Sequence, residues 1–236
     1  MSNIYKMPFT SKTYHSQIFR NFKAIDVRDF RRVVHFYEQS EKSIMQLDFD
    51  EYFELVVAYT NALFEITEYR KHLLMANVVI ENSILQNVTH INGIEIYRST
   101  LFMKAASHYN LREYSKAKHV LHELLKMNPD DENNRRFLMR AMGDDRPSYL
   151  RKARAWAVLL FLATAFIVCV EVLVIRLFYV EFNQQIEFAR DFLFLLGIFL
   201  LASTEIFHRV SVYRRASKLV ETIKIKKKTE RHKQSN

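Results

Sequence analysis

Two stretches near the end of this chain constrain it more than anything else in the sequence. From Trp156 to Val180 it reads "WAVLLFLATAFIVCVEVLVIRLFYV", apolar except for Glu171 and Arg176. From Phe192 to Thr204 it reads "FLFLLGIFLLAST", with no charge at all. A helix over the first stretch rises about 37 Å, more than the roughly 30 Å of bilayer hydrocarbon. It is long enough to span at a tilt, with Trp156 and Tyr179 as interface anchors. The second stretch alone would pass for a core helix. Beside the first, and about a dozen residues from it, it predicts the return arm of a hairpin. A single span would leave a Phe-, Leu- and Ile-rich run with nothing to bury it. The expectation is two membrane helices at about 155–179 and 188–208, within a segment 146–210.

The net charge of +9 is unevenly placed. Residues 1–145 carry 19 Lys/Arg and 19 Asp/Glu, so that part is neutral. Arg151, Lys152 and Arg154 precede the first apolar helix, and Arg209, Arg214, Arg215 and Lys218 follow the second. The connecting stretch "EFNQQIEFARD" has one Arg, Arg190. Basic residues stay on the cytoplasmic side, so both termini are expected in the cytoplasm and the connection outside. Basicity confined to the flanks of apolar helices points to anionic lipid, not nucleic acid, as the charged partner. Expected headgroup contacts are Arg151, Lys152, Arg154, Arg214, Arg215, Lys226, Lys227 and Lys228. The tail, 211–236, reads as a helix that continues from the membrane and then frays, with Leu219, Val220 and Ile223 on lipid. The start of the chain has no apolar run of the signal-peptide kind.

Glu171, Arg176 and Glu205 are charges within or beside the apolar stretches, where a charge costs several kcal/mol and faces protein or water. In one reading Arg176 reaches the outer headgroups or pairs with Glu181, and Glu205 pairs with Arg209 one turn on. In the other, Glu171 bonds to a neighbouring subunit or a partner's helix, which makes a homo-oligomer through the hairpin one expectation.

The rest of the chain predicts an all-α protein. Only three Gly and three Pro occur, too few for turn-rich β architecture. The single cysteine, Cys169, cannot form an internal disulfide. Helical periodicity runs through 26–145. Asp26 is placed to cap a helix reaching about Leu47, and Asp48 or Asp50 the next. Two more helices are expected near Tyr69–Gln86 and Asn92–Tyr109.

The stretch "NLREYSKAKHVLHELLKMNPDD", Asn110 to Asp131, then orders a turn, Tyr114, Ala117, Leu121, Leu124 and Pro129. Those spacings lay one stripe along a helix, with a small residue where a neighbour comes close and a Pro at its end. Asp131 can cap a further helix to about Met142. This order resembles the second helix of a tetratricopeptide repeat. Leu101, Ala105, His108 and Leu111 fall where the first helix of that family carries its packing residues, with Ala105 at the small position. Arg112 stands where Gly is usual. An earlier copy resembles it less closely: Tyr69 matches Tyr114, Ala76, Val79 and Ile80 match Leu121, Leu124 and Leu125, and His72 takes the small position of Ala117. The tyrosines are 45 residues apart, and "LQNVTHINGIE" lengthens the connection. The resemblance implies a short stack of antiparallel helices with a groove for a peptide or partner helix. That groove is either open or filled by residues 1–24.

No Gly-rich phosphate loop, Cys pair, zincin signature or nucleophile elbow is present in the sequence. His119 and His122, and the acids Asp48, Asp50 and Glu51, read as solvated or capping residues before they read as metal ligands. No catalytic residue, metal or cofactor is expected. The sequence therefore points to a membrane-anchored adaptor that presents a cytoplasmic protein-binding groove. Its alternative is a membrane-active effector or small channel subunit whose hairpin oligomerises and whose repeat domain senses a trigger. Asn-, Ile-, Lys- and Phe-rich usage suggests a bacterial source, hence the inner membrane.

Overall fold

The computed structural model describes residues 16–26, 28–91, 93–145, 147–175 and 183–235. Among them the chain is all-α apart from one two-residue strand pair. It divides into two compact units, residues 1–130 and 131–236.

The first unit is a run of helices packed each on the next: α1 (Gln17–Lys23), α2 (Phe30–Ile44), α3 (Phe49–Glu65), α4 (Tyr69–Leu85), α5 (Ile96–Asn110) and α6 (Tyr114–Met127). Asp29, not Asp26, caps α2: its side chain accepts from the Arg32 backbone N–H at 3.1 Å. Asp26 instead accepts from the Arg28 N–H in the turn before it. Apolar residues of α1 to α4 make one core, with Phe53, Ile44, Leu63, Val56 and Val79 completely enclosed. Tyr37 and Tyr59 stack across α2 and α3 with centroids 4.0 Å apart. The predicted helix starting at Asn92 begins four residues later. β1 (His90–Ile91) and β2 (Ile94–Glu95) pair antiparallel first, and Gly93 turns between them at φ +80°. That hairpin occupies the added connection.

The second unit contains α7 (Glu132–Asp144), α8 (Ser148–Val170) and α9 (Asn183–Ser235). Asp131 caps α7 through the backbone N–H groups of Asn133 and Asn134, as its sequence suggests. The sequence grouped α7 with the repeats, whereas it packs with α9 in this second unit. At Glu171 α8 runs into a π-helical turn, Glu171–Ile175. Residues 187–229 of α9 and 148–173 of α8 are long and apolar enough to cross a membrane. Only 17 % of the most apolar window of α8 and 11 % of that of α9 are buried in the protein, far less than in a soluble core helix.

The tail does not fray within the described residues. α9 is one helix of 53 residues, about 80 Å long by helical rise. Nor do Val220 and Ile223 lie on lipid. They are 5 % and 7 % exposed, and with Ala216 they form a buried stripe where α9 packs beside α7. A stripe at that spacing looks the same in sequence whether it meets lipid or another helix.

Candidate functional site

In the first unit the hairpins α3–α4 and α5–α6 turn alike. Thr67 and Arg112 end the first helix of each at φ +67° and +61°. In each turn the next residue's N–H reaches back five positions, Glu68 to Leu63 O at 2.9 Å and Glu113 to His108 O at 2.8 Å. This is the double closure that ends helices at a left-handed residue, where glycine fits best. An aromatic pair then locks each turn edge to face, Phe64 on Tyr69 at 5.7 Å and Tyr109 on Tyr114 at 5.6 Å. The same backbone and rings recur 45 residues apart, which makes the unit repeat-like.

Ala105, Ala117, Leu121 and Leu124 are fully enclosed and Pro129 is buried, while Tyr114 is half-buried at the turn. His72, in the position of Ala117, is also fully enclosed. Its Nδ1 lies 2.8 Å from the Ser107 hydroxyl of α5, so it joins one hairpin to the next. Its Nε2 has no hydrogen-bond partner among the described residues. Burial, with His108 nearby, holds this imidazole down at about 4, so it is neutral near pH 7.

Residues 16–25 cover part of the first helices. Ser16 donates its backbone N–H to Glu51 Oε1 at 3.0 Å, Phe19 and Ile25 join the core, and Lys23 pairs with Glu54. Glu51 thus anchors the N-terminal segment. Residues 1–15 lie outside the described residues. His119 and His122 diverge: His119 faces a depression between α5 and α6, and His122 lies 3.6 Å from Glu123. No group of three or more His, Cys, Asp or Glu able to hold a metal occurs among the described residues.

In the second unit α8 and α9 form an antiparallel pair with a seven-residue period. Leu150, Ala157 and Thr164 of α8, and Glu171 at the start of the π-helical turn, are buried, one every seven. Arg190, Gly197 and Thr204 repeat at the same interval along α9, the spacing of a left-handed helix pair. Gly197 marks a close crossing, since a Cβ there would lie 2.8 Å from the Phe161 ring. The buried Thr164 hydroxyl is satisfied on its own helix by the Leu160 carbonyl at 2.9 Å.

Ion pairs of opposite sense close the two ends. Arg154 of α8 reaches Glu205 of α9 at 3.5 Å, and Glu205 also accepts from Arg209 one turn on at 3.4 Å. At the other end Arg190 Nη1 donates to Glu171 Oε2 at 2.9 Å. The sequence placed Arg190 in the connection and, in one of two readings, offered Glu171 to a neighbouring subunit or a partner's helix. The signal available was the seven-residue register, which sets the two opposite each other once the helices are antiparallel. Arg176 and Glu181 lie outside the described residues. His208, near the Arg154 end, was not singled out by the sequence. Its Nε2 donates to Gly143 O at 3.0 Å and its Nδ1 lies 3.3 Å from the Tyr149 hydroxyl, so one ring ties α7, α8 and α9 together.

Of the expected headgroup residues, Arg151, Lys152, Arg154, Arg214, Arg215, Lys226 and Lys228 are exposed and Lys227 is half-buried. Lys226 lies about 25 Å along α9 from Arg209 by helical rise. No protein-family model matches this chain, and no curated protein or solved structure is significantly similar to it.

Proposed function

We propose that this protein is a membrane-anchored adaptor of the tetratricopeptide-repeat type. The α8–α9 hairpin holds it in the membrane, and the repeated hairpins α3–α4 and α5–α6 bind a protein or peptide partner at the membrane surface. The observation that carries this reading is the pairing of two opposite surfaces in one chain. α8 and α9 leave most of their apolar surface unburied, which water penalises at about 25 cal/mol per Å2. The first unit encloses its own apolar core and has turn geometry that repeats. Anchoring raises the local concentration of a partner without any new contact. The basic flanks support two spans with both termini in the cytoplasm, in a bacterial inner membrane, where Arg151, Lys152, Arg154, Arg214 and Arg215 meet anionic headgroups.

The intrachain partner of Glu171 weighs against the channel reading, which needs that acid to line an assembly. The test is photo-crosslinking of the intact protein in its own membrane, followed by mass spectrometry. The adaptor reading expects a protein crosslinked to residues of α3 to α6. It fails when the only crosslinks are to lipid or to other copies of this chain.

A further inference from the structure

Between α5 and α6 the surface sinks into an open depression of about 420 Å3. Lys104 and His108 line it from α5, and Ser115, Lys116, His119 and Val120 from α6. Two lysines, two histidines and a serine are thus among its lining residues. One carboxylate, Glu113, sits beside them, 3.1 Å from Lys116 Nζ and 2.7 Å from His108 Nδ1. It therefore offsets only part of the positive charge.

Lys104 carries the most weight. Its ammonium donates to the neutral amide Oδ1 of Asn77 on α4 at 2.7 Å, and no acid pairs with it among the described residues. Its side chain is half-buried, and burial holds the ammonium below the usual lysine range. A partly desolvated cation without a counter-charge is unfavourable unless something else supplies one. His119, on the exposed side of the same depression, makes no hydrogen bond or ion pair among the described residues.

We propose that this depression binds a small phosphate-bearing molecule, with Lys104 and Lys116 facing the phosphoryl oxygens and Ser115 and His119 supplying further hydrogen bonds. Several donors arriving from two helices match the three terminal oxygens of a phosphate better than the planar pair of a carboxylate. Two lysines also match its double charge. This site does not depend on the adaptor reading, because the ligand is a small molecule and not the crosslinked protein partner.

The test is isothermal titration of the full chain in mild detergent with inorganic pyrophosphate, at constant ionic strength. Saturable binding at one site per chain is expected. Lys104→Met and Lys116→Met each weaken it at least tenfold, and the double variant Arg31→Gln/Lys42→Gln, at exposed positions of α2, leaves it unchanged. The Lys116 side chain is 65 % exposed, so its removal spares the fold, and Lys116→Met alone decides the matter even where Lys104→Met does not fold. Absence of saturable binding overturns the proposal. So does an equal loss in the Arg31→Gln/Lys42→Gln variant, which would mark general charge attraction. Vesicles carrying phosphorylated inositol headgroups form a second arm. Binding to them that Lys116→Met abolishes, with none to pyrophosphate, assigns the site to lipid and overturns the small-molecule reading.

Discussion

Glu171 and Arg190 meet across the two apolar helices, Oε2 to Nη1 at 2.9 Å, with the acid's side chain 1 % exposed and the arginine's 27 % exposed. Arg190 also holds Asp191 at 2.9 Å. The acid begins the π-helical turn Glu171–Ile175, where the extra residue per turn shifts the face that α8 presents. The acid that one of two readings of the sequence offered to a neighbouring subunit is therefore paired inside its own hairpin.

The pair is not symmetric, and that gives the first prediction. Removing Arg190 takes an ion-pair partner from a carboxylate that is 1 % exposed, whereas removing Glu171 takes one from a more exposed arginine that also holds Asp191. Arg190→Leu should lower the thermal midpoint in mild detergent more than Glu171→Leu does. The double variant Glu171→Leu/Arg190→Leu should recover part of the loss, because a buried pair replaced whole by apolar groups costs little. Glu171→Leu should also leave the assembly size unchanged by light scattering. A smaller assembly would return Glu171 to an intersubunit role.

How the sequence could show the hairpin and hide this pair has a physical explanation. An apolar run declares itself by composition, which needs no knowledge of a partner. The Glu171–Arg190 pair depends on the register between α8 and α9, and register is a property of two helices together. The repeat hairpins were legible because Tyr69 and Tyr114 mark turns with strict local geometry. His72 was legible only as a departure from the small-residue position, since its use, the bond to Ser107, lies on another helix. The strands at 90–95 are two residues each, below any periodicity. Val220 and Ile223 read as lipid-facing because amphipathic spacing does not name the surface it meets.

The turn residues give the second prediction. Thr67 is β-branched and sits at φ +67°, a region costing such residues roughly 1–2 kcal/mol. Thr67→Gly removes that strain and gives back some of it through the freer unfolded chain. A net gain of about 0.5–1 kcal/mol is expected by urea denaturation, with the slope unchanged. Arg112→Gly, at the matching turn, should behave alike. A loss of stability in both would show that these side chains hold the turns by contacts stronger than the strain.

The third prediction concerns acid. His72 protonates at about 4 when folded and near 6.5 when unfolded. Between those values the unfolded chain binds the proton and the folded one does not. Stability from this site is therefore complete above about pH 6.5 and lost as pH falls toward 4, by at most about 3 kcal/mol. The groups packed on the ring are Ser107, Phe64 and His108. In His72→Gln the midpoint should fall less between about pH 6.5 and about pH 4.5 than in the wild type. Equal slopes would place the acid sensitivity elsewhere.

The last prediction separates the two surfaces that the stripe on α9 was able to meet. Ala216, Val220 and Ile223 are buried where α9 runs beside α7, whose own buried residues include Leu138 and Ala141. Removing an enclosed isoleucine to alanine costs about 2–5 kcal/mol when protein surrounds it and little when lipid refills the space. Ile223→Ala should therefore expose the backbone of both α7 and the last turns of α9 to hydrogen exchange, with protection of Phe161 to Val168 unchanged. Lys226→Ala, three residues on and exposed, should do neither. The lipid alternative expects Ile223→Ala to leave α7 protected and only to reduce vesicle binding. Protection at α7 is thus the measurement that decides between them.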